Sequence, residues 1–332
     1  MSIEPLILCA VTMMGVSGAH TLTPPDFDRW NYPFNATPGS RSVGSTFSAY
    51  GSEYDFDNRD GQVLLGWLTS DVVDAGWPAF AYDVTACTVT VTIASDDVPY
   101  DPTQDAPATY MDGGDDTDEG RPTVLSAVGF RNGWDAFTFG DDGAFGSTDA
   151  GARNCYAADF DAQGQLRDIS NSLTEGFQPN VFAVASSNAV APGEVMPQFT
   201  VLTFEVDVTD EHIQCWLRQG VAQGLVEFMV TSLHSASEPG SGGGGVWPDW
   251  VLAEHALVGT GLIDAATITL TVDLVEPSGV PGDINGDGLV GIDDLLELLS
   301  NYGPCPCCAS DLDGSGVVDV DDLLTLIGGW TS

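Results

Sequence analysis

The sequence predicts a mainly β fold, an antiparallel β-sandwich or jelly roll, followed by a small α-helical unit at the carboxyl end. Three observations lead to this prediction. Many short runs alternate apolar and polar residues, no long helical pattern separates those runs, and a segment with helical spacing occurs twice near the end of the chain.

The alternating runs place one side of each strand on a core and the other in water. Every second residue is apolar between residues 88 and 93, and the pattern recurs between residues 267 and 272. Strands that follow one another without helices form antiparallel sheets. The predicted strands are 63–69, 87–94, 123–130, 199–208, 225–232 and 266–275.

One helix interrupts the strands. Thr209 is a suitable cap for a helix that runs to Gly220, with Ile213, Trp216 and Leu217 on one face. Two longer segments, 96–120 and 237–250, are rich in Asp or Gly, and their composition predicts surface loops.

Acidic side chains dominate the composition. The chain of 332 residues has 49 Asp and Glu against 8 Arg, has no Lys, and carries a formal net charge of -41. Nucleic acid and anionic membrane surfaces bind basic patches, so this composition argues against both as partners. Carboxylates beside Gly, Asn and Pro are typical of loops that hold hard cations.

The amino terminus resembles a secretory signal, which we assign to residues 1–19. An apolar run covers residues 6–16, and Ser17, Gly18 and Ala19 form a small-residue cleavage site. A buried strand is the alternative interpretation. No other apolar run reaches the roughly 18 residues that a membrane span requires, so we predict a secreted or cell-surface protein with no membrane span.

Seven cysteines are present, and six remain after removal of the signal with Cys9. An even number in a secreted chain predicts disulfides, although the sequence does not give their connectivity. Cys305 and Cys308 are suitably spaced for a local bridge, and a zinc site at 305–308 is the weaker alternative.

A repeat at the carboxyl end has the spacing of an EF-hand calcium loop. Residues 283–294 and 311–322 match at an offset of 28, with Gly at the sixth position of each. Calcium requires six to eight oxygen ligands, which alternate residues of a tight loop supply. The predicted ligands of the two sites are Asp283, Asn285, Asp287, Leu289 and Asp294, and Asp311, Asp313, Ser315, Val317, Asp319 and Asp322, with Leu289 and Val317 acting through their backbone carbonyls.

Each loop is followed by a helical apolar stripe, and we expect the two stripes to bury each other. The first consists of Leu295, Leu296, Leu298, Leu299 and Tyr302. The second consists of Leu323, Leu324, Leu326, Ile327 and Trp330. Because so small a unit has little core, calcium should supply much of its folding energy.

Two loops that end in Asp, each followed by one helix, resemble a type I dockerin over residues 282–330. The resemblance implies two calcium ions and a cohesin-like partner protein. Loop positions 10 and 11 are Ile292–Asp293 and Val320–Asp321, which differ from the Ser/Thr pairs that many dockerins use to contact cohesin. Ser315 replaces a carboxylate or amide at position 5, so we predict that the second site is weaker.

The larger part, residues 20–275, is the predicted sandwich, and residues 276–282 are a Pro/Gly linker to the repeat at 283–332. Segments 206–224 and 58–67 resemble jelly-roll modules of the DNRLRE type, which occur on secreted proteins that act on polysaccharides. The resemblance implies a jelly roll in polysaccharide utilisation.

No catalytic motif of known spacing is present: there is no zinc-binding His-Glu-x-x-His and no serine nucleophile elbow in the mature chain. We therefore favour a non-catalytic protein that binds carbohydrate or another surface component. The alternatives are a glycoside hydrolase whose carboxylates the sequence does not identify and a structural cell-surface protein.

Two features of the larger part are open to two interpretations each. Trp247 and Trp250 beside a glycine run predict a platform for stacking sugar rings, or they plug the end of the sandwich. The acidic segment 112–119 is either a solvated loop, which we favour, or a further calcium site.

Overall fold

Two antiparallel sheets face each other across one hydrophobic core in the computed structural model of the chain. The structure describes residues 17–32, 35–48, 60–110, 116, 118–138, 154–236, 245–274, 277–305 and 307–331. The prediction of a mainly β sandwich is confirmed.

Fifteen strands are formed within these described residues. They are β1 (Ser17–Leu22), β2 (Phe27–Asn31), β3 (Val43–Ser45), β4 (Gln62–Leu68), β5 (Tyr82–Thr92), β6 (Thr123–Phe130), β7 (Cys155–Phe160), β8 (Leu166–Asp168), β9 (Ala183–Val184), β10 (Val201–Glu205), β11 (Leu225–Ser232), β12 (Asp249–Val251), β13 (Thr267–Leu274), β14 (Gly303–Pro304) and β15 (Val317–Val318).

Five α-helices accompany the strands in the same residues. They are α1 (Ser172–Glu175), α2 (Glu211–Gln223), α3 (Ala256–Gly259), α4 (Ile292–Ser300) and α5 (Val320–Gly328).

The strands form two main sheets and two short pairs. Sheet A has the order β1-β13-β5-β10, and sheet B has the order β2-β4-β11-β6-β7-β8 with β9 beside β6. Strand β12 pairs with β3, and β14 pairs with β15. Sheet A contributes alternate residues such as Val89 and Ile268 to the core, where they meet Leu65 and Phe228 of sheet B. The other side of sheet A is polar, which explains its clean alternation.

Sheet B is buried on both faces along part of its length. Leu65 of β4 faces the main core, whereas its neighbour Leu64 packs with Val128 and Met229 in a second cluster on the outer face. A strand covered on both sides carries a continuous apolar run instead of alternation, and residues 62–67 are all buried.

Several strand predictions agree closely with the structure. The predicted strands 123–130 and 225–232 coincide with β6 and β11. Strand β5 begins five residues before the predicted 87, and β10 is shorter than the predicted 199–208. The missed strands are short or lack a period-2 pattern, so a single sequence window carries little signal for them.

Helix α2 differs from its prediction at both ends. Its N-cap is Asp210, whose carboxylate accepts the N–H groups of His212 and Ile213, whereas the Thr209 hydroxyl donates to Asp207. The helix continues past Gly220 and ends at Gly224, which adopts a left-handed conformation with φ 78°. Ile213 and Leu217 are buried, as predicted for the apolar face.

The prediction that segment 96–120 is only a surface loop is wrong in part. Val98, Tyr100, Asp101 and Tyr110 are buried. Val98 and Tyr100 belong to the main core and anchor the segment, and its acidic composition masked these apolar residues.

The amino-terminal prediction lies mostly outside the described residues, which begin at Ser17. Ser17, Gly18 and Ala19, the predicted cleavage site, belong to β1, and β1 pairs with β13 from Ser17↔Asp273 to Leu22↔Ile268. Cleavage after Ala19 would leave His20, Thr21 and Leu22 in this pairing.

Helices α4 and α5 lie at the predicted positions and share a small core. Val290, Leu298, Val318 and Leu326 are fully buried there, related in pairs by the 28-residue offset. The expectation that both stripes are buried whole is wrong. One neighbouring helix covers only one side of the other, so the following six stripe residues stay exposed: Leu296, Leu299, Tyr302, Leu324, Ile327 and Trp330.

The structure brings two cysteine pairs to disulfide distance. Cys305 and Cys308 form the predicted local bridge, with Cα atoms 5.8 Å apart. Cys215 of α2 is bonded to Cys307, with Cα atoms 5.5 Å apart and 92 residues between them. Cys87 and Cys155 are buried and are not in disulfides. The Cys215–Cys307 bond therefore joins the sandwich to the carboxyl-terminal repeat.

No helix among the described residues is long and apolar enough to cross a membrane.

We expect peptide mapping under non-reducing conditions to link the peptide with Cys215 to the single peptide that carries Cys305, Cys307 and Cys308, and fragmentation of that linked pair to place the bonds at Cys215–Cys307 and Cys305–Cys308. Digestion at Asp suits a chain that has no Lys and 8 Arg. Removing the long-range bond in the double variant Cys215→Ser/Cys307→Ser should lower the free energy of unfolding by about 2–4 kcal/mol, because the unfolded chain gains freedom. A map that joins Cys215 to Cys305 or Cys308 would contradict the assignment.

Candidate functional site

The two predicted calcium loops have the same internal hydrogen bonds. In the first, the Asp283 carboxylate accepts the N–H groups of Asp287 at 3.0 Å and Gly288 at 2.8 Å. In the second, the Asp311 carboxylate accepts those of Ser315 at 3.0 Å and Gly316 at 2.8 Å. The backbone of each loop therefore folds around the carboxylate of its first residue.

The last carboxylate closes each loop from the first turn of the following helix. Asp294 accepts the N–H groups of Ile284, Asn285 and Gly291 at 2.8, 3.1 and 2.8 Å. Asp322 makes the three equivalent bonds to Leu312, Asp313 and Asp319 at 2.7, 3.2 and 2.8 Å. These two side chains are buried, so the loop and the helix are held as one piece.

The backbone donors keep Asp294 ionised. Burial acts to raise the pKa of this carboxyl, but the N–H groups of Gly291, Asn285 and Ile284 outweigh burial and hold the pKa below its usual value. A calcium ligand must be deprotonated, so a low pKa suits this role.

Oxygen atoms converge in the second loop. One carboxylate oxygen each from Asp311, Asp313 and Asp322 lies within 4.8 Å of the others. Such a cluster matches the hard, anionic ligands that calcium prefers. In the first loop the position equivalent to Asp313 is Asn285, whose side-chain oxygen accepts the Asp287 N–H at 2.9 Å.

Position 5 distinguishes the loops. Asp287 in the first loop accepts the Leu289 N–H at 2.8 Å. Ser315 in the second donates its hydroxyl to the Val317 carbonyl at 3.0 Å, which is the carbonyl expected to bind the ion. At position 5 the second loop therefore lacks a carboxylate and uses a ligand oxygen internally, although Asp313 supplies a carboxylate where the first loop has Asn285. Asp319 at position 9 caps α5 by accepting the Asp321 N–H at 2.8 Å.

No model of a known protein family matches the chain, and no curated protein is similar to it in sequence.

The two tryptophans predicted to stack on sugars lie in different environments. Trp250 is 1% exposed and donates its indole N–H to the Thr46 hydroxyl at 3.0 Å. The prediction of a stacking platform is wrong for Trp250, because β12 turns this ring into the core. Trp247 is half-buried, and its ring centroid lies 5.2 Å from that of Phe47.

The acidic segment 112–119 lies partly outside the described residues. Within them, Asp118 places a carboxylate oxygen within 4.8 Å of oxygens from Asp101 and Asp105, and Asp116 is paired with Arg121. Asp118 therefore lies close to Asp101 and Asp105, which are buried earlier in the same loop. The further calcium site stays a prediction.

A pocket on the outer face of sheet B was not predicted. Its floor contains Val124 of β6, Ala157 of β7 and Thr231 of β11, and its walls include Tyr110 and Leu173. These residues are far apart in the sequence, so no local pattern marks them. We call this site the outer-face pocket.

Glu227 of β11 is the carboxyl group on the outer face of sheet B whose acidity is most altered. Burial raises the pKa of Glu227 to about 7, the charge of Asp135 adds to the effect, and Arg29 opposes it. Glu227 lines a small cleft of about 80 Å³ with Trp216, whose indole N–H donates to the Glu227 carbonyl at 3.3 Å.

We expect Glu227→Gln to make folding less dependent on pH. The folded pKa of about 7 exceeds the ordinary 4.5, so between these values the folded state binds more protons and its stability falls as pH rises. At pH 8 the variant should be more stable than the natural chain, by on the order of 2 kcal/mol, and near pH 4 the two should be equal.

Urea unfolding at fixed calcium measures the difference, with the exposed Glu205→Gln as the matched control. A gain in stability that is the same at pH 4 and pH 8 would contradict the assigned pKa.

Proposed function

We propose that the chain is an extracellular protein whose carboxyl-terminal repeat binds two calcium ions and whose β-sandwich binds carbohydrate without cleaving it. One observation carries the proposal for the repeat. The first and last carboxylates of each loop accept backbone N–H groups of that loop in the same pattern. The carboxylates are Asp283 and Asp294 in the first loop and, 28 residues later, Asp311 and Asp322 in the second.

Calcium is the cation that this arrangement suits best. The ligand positions that repeat in the two loops offer carboxylate, amide and carbonyl oxygens and no nitrogen or sulfur ligand. Clustered carboxylates repel each other without a cation, and the chain has no Lys to neutralise them. The helices α4 and α5 contribute only a small shared core, so the ions would supply much of the folding energy of the repeat.

Three properties support an extracellular location. The two cysteine pairs at disulfide distance suit an oxidising compartment. Calcium is abundant outside cells, where loops of moderate affinity are filled. The large negative charge keeps such a protein soluble.

The exposed apolar residues of α4 and α5 support a tethering role for the repeat. Ile292, Leu296 and Leu299 follow one another at the spacing of one helix face, and Val320, Leu324 and Ile327 repeat that face. Exposed apolar residues in such numbers mark an interaction surface. The occupant that the dockerin resemblance implies is a cohesin-like domain.

A glycoside hydrolase is the alternative from another functional class. Glu227, which has a raised pKa and lines a cleft, is a carboxyl that a hydrolase could use as a general acid. We favour binding over hydrolysis because no second carboxylate with a defined role accompanies Glu227 among the described residues that line its cleft.

We predict that calorimetric titration of the full chain, after chelation, will find two calcium ions of unequal affinity. Asp283→Ala should remove the tighter site, because it deletes a charge and the anchor of the loop. Ser315→Ala should weaken the second site less, since a neutral hydroxyl is lost. The control is Asp293→Ala, an exposed carboxylate at position 11 of the first loop that is no predicted ligand. Full retention of two sites in Asp283→Ala would refute the ligand assignment.

We predict that immobilised type I cohesin-like domains will capture the full chain only in calcium. The double variant Leu296→Ser/Leu324→Ser removes exposed apolar area from both helices and should weaken capture by at least about tenfold, or 1.4 kcal/mol. Glu297→Ser, at an exposed polar position of α4, serves as the control. Absence of capture by every cohesin tested would exclude this partner, while leaving calcium binding in place.

A further inference from the structure

The first calcium loop contains an asparagine that is followed directly by a glycine. Asn285 and Gly286 are both exposed, and Gly286 adopts a left-handed conformation with φ 75°. Glycine has no side chain to shield its own backbone nitrogen, so this nitrogen can approach the preceding side-chain amide with little steric hindrance. The loop therefore holds a nucleophile and an electrophile in adjacent residues.

The Gly286 nitrogen differs from the other backbone nitrogens of the loop. From Asp283 to Gly291 every other N–H group donates a hydrogen bond, whereas the Gly286 N–H has no acceptor among the described residues. An amide in a hydrogen bond must break that bond before it can exchange or react. The nitrogen next to the Asn285 side chain does not have this protection.

The Asn285 side chain is arranged to accept such an attack. Its oxygen Oδ1 accepts the Asp287 N–H at 2.9 Å. This bond polarises the side-chain carbonyl, and it stabilises the negative charge that develops on Oδ1 when a nucleophile adds to Cγ, as an oxyanion hole does. The loop thus combines an unprotected nucleophile with a donor for the developing oxyanion.

We propose that Asn285 is a deamidation site that calcium controls. The Gly286 nitrogen forms a bond to Cγ of Asn285 and loses its proton, the Cγ–Nδ2 bond breaks, and the side-chain nitrogen leaves as ammonia. Water then opens the resulting succinimide. Opening at Cγ restores the ordinary backbone with an aspartate, whereas opening at the main-chain carbonyl carbon gives an isoaspartate.

The inference rests on the proposed calcium binding, because Oδ1 of Asn285 is also a predicted calcium ligand. A side chain that is fixed as a ligand cannot turn its amide carbon toward the Gly286 nitrogen. Only the calcium-free loop then reacts, and the rate of deamidation falls in proportion to the share of loops that are empty.

The two products have different effects on the first loop. Aspartate keeps an oxygen at position 3, as Asp313 does in the second loop, where it accepts the Ser315 N–H at 2.9 Å. Isoaspartate adds a carbon atom to the backbone and displaces the N–H groups of Asp287 and Gly288 that donate to Asp283. The isoaspartyl loop therefore loses the alternate spacing of ligands that calcium requires.

The test follows deamidation in the full chain, which is incubated in neutral buffer with calcium or with a chelator. Peptide mapping by mass spectrometry measures the loss of Asn285. Calcium at about 100 times its dissociation constant should slow this loss about a hundredfold. The other exposed Asn–Gly pair of the chain, Asn132–Gly133, is an internal control outside the repeat, and its rate should be the same in both buffers.

The protein aged in chelator should also lose calcium affinity. In calorimetric titration the tighter site should disappear in proportion to the isoaspartyl fraction, which an isoaspartyl methyltransferase labels. Asn285→Asp, aged equally, should retain the tighter site, because a carboxylate is a much poorer electrophile than an amide. Asn132→Asp makes the same change outside the loop and should lose the site as the natural chain does. Circular dichroism in calcium checks that both variants fold.

Three results would overturn the inference. They are equal loss of Asn285 in both buffers, an unchanged Asn285 in chelator when Asn132 is converted, and a tighter site that persists in the isoaspartyl chain. If the unaged chain binds two calcium ions, any of these results defeats the inference alone and leaves the proposed calcium binding in place. An unaged chain that binds no calcium defeats both.

Discussion

Carboxylates far outnumber cations in this chain, and the fold has to accommodate that imbalance. With 49 acidic and 8 basic residues, ion pairs can neutralise only a small fraction of the acids. Backbone N–H groups do much of the remaining work: they hold Asp294 and Asp322 in the terminal loops, Asp210 at the start of α2 and Asp161 in a turn. Where several carboxylates still converge, a cation is the physical remedy, which links the composition directly to the candidate sites.

Two of the arginines are paired with buried carboxylates. Arg167 donates two hydrogen bonds to Asp159, a fully buried side chain beside the second cluster of sheet B. Arg121 forms an ion pair with Asp105, which lines the outer-face pocket. Buried charges need partners of this kind because desolvation is costly. These two arginines thus stabilise the interior, whereas Arg218 pairs with the exposed Asp83.

Periodicity made part of the structure predictable. Strand β13 and the positions of α4 and α5 followed from it, because each has a single face on a core. The same reasoning failed for the faces of α4 and α5: a stripe shows which residues are apolar, but only the neighbouring helix decides that Leu298 is buried and Leu299 is exposed. The prediction that Trp250 stacks on sugars failed for a related reason. The glycine-rich sequence before it gave no sign that β12 pairs with β3 and buries this ring.

The remaining features could not be predicted because they depend on contacts between residues that are far apart in the sequence. The loop ligands are close in sequence, so their spacing identified them, whereas the outer-face pocket combines segments around residues 62, 105, 172 and 231. The partner of Cys307 was equally inaccessible, because 92 residues separate it from Cys215. Side-chain chemistry at these positions becomes informative only after the sheets have brought the segments together.

The Cys215–Cys307 bond gives the molecule a particular mechanical path. If the repeat anchors the chain to another body, a pulling force on α4 and α5 reaches the sandwich through this covalent bond as well as through the linker at 276–282. Helix α2, which packs on both sheets, then receives part of the load. The linker is bypassed, so the sandwich follows its anchor as a closely attached body instead of swinging on a tether.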